Sequence, residues 1–205
     1  MLSGTIRVKF QKTGDLKFIS HLDLMRFFTR ALIRAKIPLV YTEGFNPHPK
    51  LTFGLPLSVG VESVCEWMEL RLAGEMTCEE IKERLNRSLP KELSVSEVYG
   101  SEGKEKLSSI AWAEYAICFD CEIEPDKVLK APIEVQKRTK SGEKMVDIAP
   151  MIRRYTYENG VLFAVLSASS QNYLNPELVA KLFGTENYTI RRTNCFLADA
   201  EQVFS

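Results

Sequence analysis

The sequence predicts an α+β chain built as two ferredoxin-like units in tandem, each running β-α-β-β-α-β, the second elaborated with extra hairpin strands. Three observations carry this expectation. Stretches alternating at period two are interleaved with stretches of helical periodicity, twice over along 205 residues. A polar, glycine-containing run between them reads as a linker. The 45% hydrophobic content is enough to bury two small cores or one large one. The expected division is 1–100 for the first unit, 101–107 for the linker and 108–205 for the second unit.

Residues 5–10 (Thr-Ile-Arg-Val-Lys-Phe) alternate and read as a strand. A turn at Gly14-Asp15 follows, and 16–19 is expected to resume the strand. Ser20 is a candidate N-cap, with Asp23 placed where a negative charge meets the helix N-terminus. Leu24, Met25, Phe28, Ala31, Leu32 and Ala35 then recur at helical spacing, and Pro38 stops the helix. Residues 38–42 allow a short strand. Between 43 and 63 the prolines Pro47 and Pro49 exclude a helix or a central strand, so an irregular, interrupted-strand excursion is expected. Regular structure returns as a strand at 64–72. A capping box at Thr77-Cys78-Glu79-Glu80 opens a helix with Ile81, Leu85 and Leu89 facing inward, and 93–99 is the next strand.

In the second half, 112–119 reads as a strand and 125–130 as a short helix. Residues 133–138 and 144–148 form a hairpin around Ser141-Gly142, and Asn159-Gly160 turns into a strand at 161–166. Asn175-Pro176 is an N-cap followed by proline at the first helical position, with Gly184 at the helix end and a last strand at 188–197.

The formal net charge is zero but unevenly spread. Residues 1–50 hold nine Lys/Arg against three Asp/Glu, whereas 51–107 hold seven against eleven and 108–205 eleven against thirteen. A basic first quarter points to a polyanion or an acidic partner surface, or to ordinary solvated charge. No apolar run approaches the ~20 residues that span a bilayer, and no signal peptide is evident. Five cysteines without framework spacing fit reduced thiols in a cytoplasm.

Four stretches are candidates for chemistry. Arg26, Arg30 and Arg34 recur every four residues on the helix side away from its apolar stripe, and Lys12, Lys17 and Lys50 extend an anion- or RNA-binding patch. His21 and His48, with Asp23, are the catalytic candidates: convergence in one cleft would permit acid–base chemistry, and otherwise they cap and pack. The single Cys118-Phe119-Asp120-Cys121 is weak evidence for a metal, and no metal site is expected. The run Ser167-Ala168-Ser169-Ser170-Gln171-Asn172 leads into a helix start, with Arg191 and Arg192 as further anion candidates. Glu43, Phe45, Asn46, His48 and Phe53 are candidates for contacting a partner through the proline-rich excursion.

Three motifs carry a resemblance. The run Lys17-Phe18-Ile19-Ser20-His21-Leu22-Asp23-Leu24-Met25-Arg26, then Glu43-Gly44-Phe45-Asn46-Pro47-His48-Pro49-Lys50-Leu51, then Pro56-Leu57-Ser58-Val59-Gly60-Val61-Glu62-Ser63 is similar to the radical-SAM-linked protein family. This is a bacterial domain of unknown function often fused to, or encoded beside, radical S-adenosylmethionine proteins. Asn175-Pro176-Glu177 and Arg191-Arg192-Thr193 resemble weaker signatures of the same family. The resemblance implies a radical SAM partner that carries the iron–sulfur cluster and S-adenosylmethionine, with no cofactor in this chain.

Taken together, these features lead to the expectation of a non-catalytic accessory module that binds RNA, or an RNA-bearing partner, for modification. Two alternatives stay open: an RNA-processing or RNA-modifying enzyme using His21 and His48, and a protein–protein adaptor with no nucleic-acid contact.

Overall fold

A computed structural model describes residues 2–139, 142–169 and 171–204. Ser141, expected in the hairpin turn, and Ser170, in the serine-rich run, lie outside the described residues. The fold is mixed α+β, with antiparallel pairing between the named strands. The chain divides into two compact units, one reaching to Ser108 and the other spanning Ser109–Phe204. Residues 101–107, expected as a linker, cluster with the first unit, where Leu107 is buried. Among the described residues no helix is long and apolar enough to cross a membrane.

In the first unit, β1 (Leu2–Lys12), α1 (His21–Arg34), β2 (Leu51–Phe53), β3 (Glu62–Met76), α2 (Cys78–Ser88) and β4 (Val95–Gly100) follow one another. Their strands lie in the order β4-β1-β3-β2. Alternation in β1 sends Ile6, Val8 and Phe10 to one face. On β3, Met68, Leu70 and Leu72 supply the matching face, and α1 covers both with Leu24, Phe28, Ala31 and Leu32. Even-numbered alternation along 64–72 would put Val64 on that same face, yet it is exposed. It lies close to the Phe10/Lys12 irregularity in the β1–β3 register, and a one-residue shift swaps faces.

The Ser20 hydroxyl accepts from the Asp23 amide at 3.1 Å and so caps α1, as Thr77 caps α2 through the Glu80 amide at 3.1 Å. At its other end α1 closes with Lys36 at φ 53, the Ile37 amide returning to the Leu32 carbonyl at 3.3 Å. The expected strand at 16–19 is instead a 3-10 turn over Gly14–Phe18. Gly14, at φ 58, makes that turn, and its amide donates to the Glu62 carboxylate at 3.0 Å.

The second unit contains β5 (Trp112–Phe119), α3 (Pro125–Val128), the hairpin β6 (Glu134–Thr139) and β7 (Gly142–Asp147), β8 (Ile152–Glu158), β9 (Val161–Ser167), α4 (Pro176–Lys181) and β10 (Tyr188–Phe196). The order is β10-β5-β9-β8, with β6 and β7 forming a separate ribbon. β8 is an element the sequence reading did not name. It is an edge strand with polar and half-buried residues, so it lacks the apolar run of β9. The Asn159-Gly160 turn joins the two, with φ values of 53 and 79 at its central residues.

Phe28 is fully buried and lies 4.5 Å from the ring of Phe10 and 5.8 Å from that of Phe53. Phe28→Ala should lower stability by about 3–5 kcal/mol through lost contacts and a cavity. Chemical denaturation of the intact chain followed by circular dichroism measures this.

Candidate functional site

The excursion between α1 and β3 is ordered by a small number of main-chain bonds. The Val40 amide donates to the Arg71 carbonyl at 2.8 Å, and the Val40 carbonyl accepts from the Lys50 amide at 2.9 Å. Residues 38–40 therefore continue along β3 where β2 leaves off, and Leu39 opposes Leu72. Neither Pro47 nor Pro49 can donate an N–H. The loop closes instead through Thr42 and His48: the Thr42 amide donates to the His48 carbonyl at 2.8 Å, and the Thr42 hydroxyl accepts from the His48 amide at 3.1 Å.

This arrangement leaves a groove of about 600 Å³ within the first unit. Its walls are Met25 and Thr29 from α1, Thr42, His48 and Lys50 from the loop, Leu51 and Thr52 from β2, and Glu69 and Arg71 from β3. Thr5 on β1 adds another hydroxyl. Lys50 and Arg71 are exposed, and neither has a salt bridge to an acidic group among the described residues. Glu69 does not cancel them. Its Oε1 is held by the buried Arg7 guanidinium, at 2.8 Å from Nη2 and 3.2 Å from Nε. The groove thus offers two unneutralised cations beside several hydroxyls, a donor set suited to an oxyanion-bearing ligand.

His48 is exposed, with Nδ1 at 3.2 Å from the Thr42 hydroxyl and 3.3 Å from the Asn46 carbonyl. His21 does not line the groove. It sits at the start of α1 with its ring 5.6 Å from Phe53, edge to face. The convergence of His21 and His48 that acid–base chemistry would need is therefore not found in the walls of this site.

The arginine row also lies elsewhere. Successive helical residues turn by about 100°, so the groove-facing Met25 and Thr29 occupy one flank of α1 and Arg30 and Arg34 drift to the other. Arg34 reaches the far side of the helix pair, donating to the Ser88 carbonyl at the end of α2 at 2.8 Å. Arg26 stays near Asp23 at 3.3 Å, and Arg30 is exposed. The Asp23 carboxyl is held below its ordinary value, first by the Ser20 hydroxyl and further by Arg26.

Of the expected patch residues, Lys12 and Arg192 are interior, and Lys17 is half-exposed. Lys12 is buried, and its ammonium donates to the Lys17 and Ile19 carbonyls at 3.2 and 3.0 Å, which orders the turn ahead of α1. Lys17 keeps its amine 5.3 Å from the Phe18 ring centroid while its own carbonyl also receives the Gly60 amide. Arg192 is buried and donates to the Tyr115 hydroxyl at 3.2 and 3.1 Å. Burial keeps that phenol protonated well above the usual range. Arg191 is exposed on β10.

Phe53, expected to meet a partner, packs with Phe10 and Phe28 instead. Glu43, Phe45 and Asn46 are exposed at the loop tip. In the second unit, the Ser167 hydroxyl donates to the Asn172 carbonyl, and the Ser169 hydroxyl accepts from the Asn172 amide at 3.1 Å. Asn175 caps α4 by accepting from the Glu177 amide at 3.1 Å, so the run closes on itself. Cys118 and Cys121 are exposed free thiols. No group of three or more His, Cys, Asp or Glu that could hold a metal occurs among the described residues.

Sequence reasoning missed Arg71, Thr5 and Thr52. The alternation of β3 marks Arg71 as facing away from the core, but its place in a groove depends on strands 38–40 and β2 sharing the edge of β3.

Residues 5–176 match the model of a family described as uncharacterized protein conserved in bacteria, DUF2344. The chain belongs to this family. Every wall of the groove in this DUF2344 protein falls within the matched residues. No curated protein matches the chain. Among solved structures, a Cbf5-Nop10-Gar1 complex is similar at 13% identity and a TM-score of 0.45, over 93% of this chain and 48% of that one. So loose a likeness carries no argument about function.

Two outcomes follow from the local chemistry of this DUF2344 chain. Ser20→Ala should raise the Asp23 titration toward the ordinary carboxylate value, read by carbon-13 NMR. Because the folded value is depressed, the Asp23 contribution is present above the unfolded value and is lost as pH falls through the folded one. Lys12→Met should cost about 1–3 kcal/mol in denaturant unfolding, because the part-buried Lys17 and Ile19 carbonyls lose their donor.

Proposed function

We propose that this chain is a cytoplasmic accessory module that binds RNA, or an RNA-bearing partner, and acts with a radical SAM enzyme in RNA modification. In this reading its own contribution is binding rather than chemistry, and the iron–sulfur cluster and S-adenosylmethionine belong to the partner. The observation that carries it is the pair of exposed cations, Lys50 and Arg71, sharing a groove with the hydroxyls of Thr5 and Thr52. Phosphate contacts dominate nucleic-acid affinity, and such a donor set is what a sugar–phosphate strand requires. The resemblance of the 17–26, 43–51 and 56–63 motifs supports the radical SAM association. In the same proposal each unit is a ferredoxin-like module, a reading supported by the 4-1-3-2 order of the four main strands in each.

Catalysis by a histidine pair has less support, since only His48 lines the groove. The test is binding of the full chain to RNA over a series of salt concentrations. Lys50→Glu combined with Arg71→Glu should weaken binding at least tenfold and reduce the log–log salt slope by about 1.4, the value for two lost single-strand phosphate contacts. Arg26→Glu with Arg30→Glu, on other faces of α1, should change it less. Negligible RNA binding by the unaltered chain, or equal binding by the Lys50/Arg71 double variant, overturns the proposal.

A further inference from the structure

The tip of the 42–48 loop carries one side chain that phosphate binding leaves unused. Phe45 has a relative exposure of 112%, so its ring is packed against nothing. A bare aromatic ring at a loop tip is an unfavourable place for apolar surface unless something covers it. Its neighbours Glu43, Gly44, Asn46 and Pro47 are all exposed, and this polar setting does not supply the apolar surround of a protein-docking hot spot.

The base of the loop is fixed. Thr42 and His48 are joined by the two bonds at 2.8 and 3.1 Å, and His48 and Lys50 turn directly into the groove wall. Three residues span at most about 10 Å, so Phe45 stays within that reach of His48. Tyr41, on the other arm of the same loop, is a second exposed aromatic.

We infer that Phe45 is a base-stacking platform, and that the strand taken by the groove is single-stranded RNA. The inference rests on the RNA reading of that groove. A single strand exposes the π faces of its bases while its phosphates remain available to Lys50 and Arg71. A duplex buries those faces in its own stack and offers Phe45 nothing. Stacking on an aromatic side chain is tolerant of base identity, so a general single-strand preference follows rather than a sequence code. The cations attract the backbone and the ring selects its unpaired form.

The experiment compares a fluorescein-labelled oligoribonucleotide of mixed sequence with the same strand annealed to its complement, both titrated with the full chain. Phe45→Ala should weaken single-strand binding about tenfold or more, leave duplex binding unchanged and leave the salt slope intact. Phe45→Trp should restore the affinity, and the fluorescence of the introduced tryptophan should be quenched by single strand but not by duplex.

Unaltered single-strand binding by Phe45→Ala, with binding still lost in the Lys50/Arg71 double variant, overturns stacking and leaves the groove reading standing. Equal losses on single strand and duplex also overturn it. No binding of either RNA by the unaltered chain overturns both readings. If Phe45→Ala instead abolishes capture of a protein partner while RNA binding is untouched, the ring is a protein contact and the inference fails.

Discussion

Phe10, Phe28 and Phe53 meet in one aromatic cluster, and the candidate site depends on that contact. Phe10 comes from β1, Phe28 from α1 and Phe53 from β2, with centroid separations of 4.5 to 6.2 Å. β2 has only three residues, and its few ladder bonds give little independent stability. Packing the half-buried Phe53 against Phe10 and Phe28 is what pins β2 to the outer edge of β3. Thr52 lies on that short strand and Lys50 directly precedes it, so their position in the groove is inherited from the aromatic contact. His21 completes the cluster from the side, which is why a residue of catalytic type serves packing here.

Charge in the first unit is sorted by burial. Arg7 and Lys12 are cations taken out of water, and each is matched to fixed acceptors: Arg7 to Glu69, Lys12 to main-chain carbonyls of the turn before α1. A buried charge without such partners would be strongly destabilising. Lys50 and Arg71 have no such acidic match and stay in solvent, so their charge is available to an external ligand. Arg34 and Arg26 are drawn into local contacts along and beyond α1. The basic excess of the first quarter of the chain is thus divided between internal ordering by Arg7 and Lys12, exposed positions along α1 such as Arg26 and Arg30, and Lys50 in the groove.

Much of the local structure was legible in the sequence because it depends on neighbours along the chain. The Ser20 and Thr77 caps, the stop before Pro38, the Asn159-Gly160 turn and β5 arise from short-range hydrogen bonding, fixed dihedrals and period-two alternation. The 3-10 turn at Gly14–Phe18 was not legible, since apolar residues at 16 and 19 also suit a strand. The buried Lys12 ammonium, the distant Glu62 carboxylate and the Gly60 amide hold it as a turn. β8 was missed because an edge strand needs no continuous apolar run.

By itself the sequence determined the amphipathic helix, the strand alternation, the basic first quarter and the proline-stiffened loop that carries Phe45. Helical spacing even put Arg26, Arg30 and Arg34 correctly outside the apolar stripe. Tertiary structure alone decided which cations meet. Arg71 and Lys50 are 21 positions apart in the numbering, and they become neighbours because Val40 hydrogen-bonds to both main chains. It also decided that Lys12 and Arg192 are interior, because burial depends on what packs above a residue, and a lysine or arginine carries no mark in sequence of whether carbonyls or water will surround it.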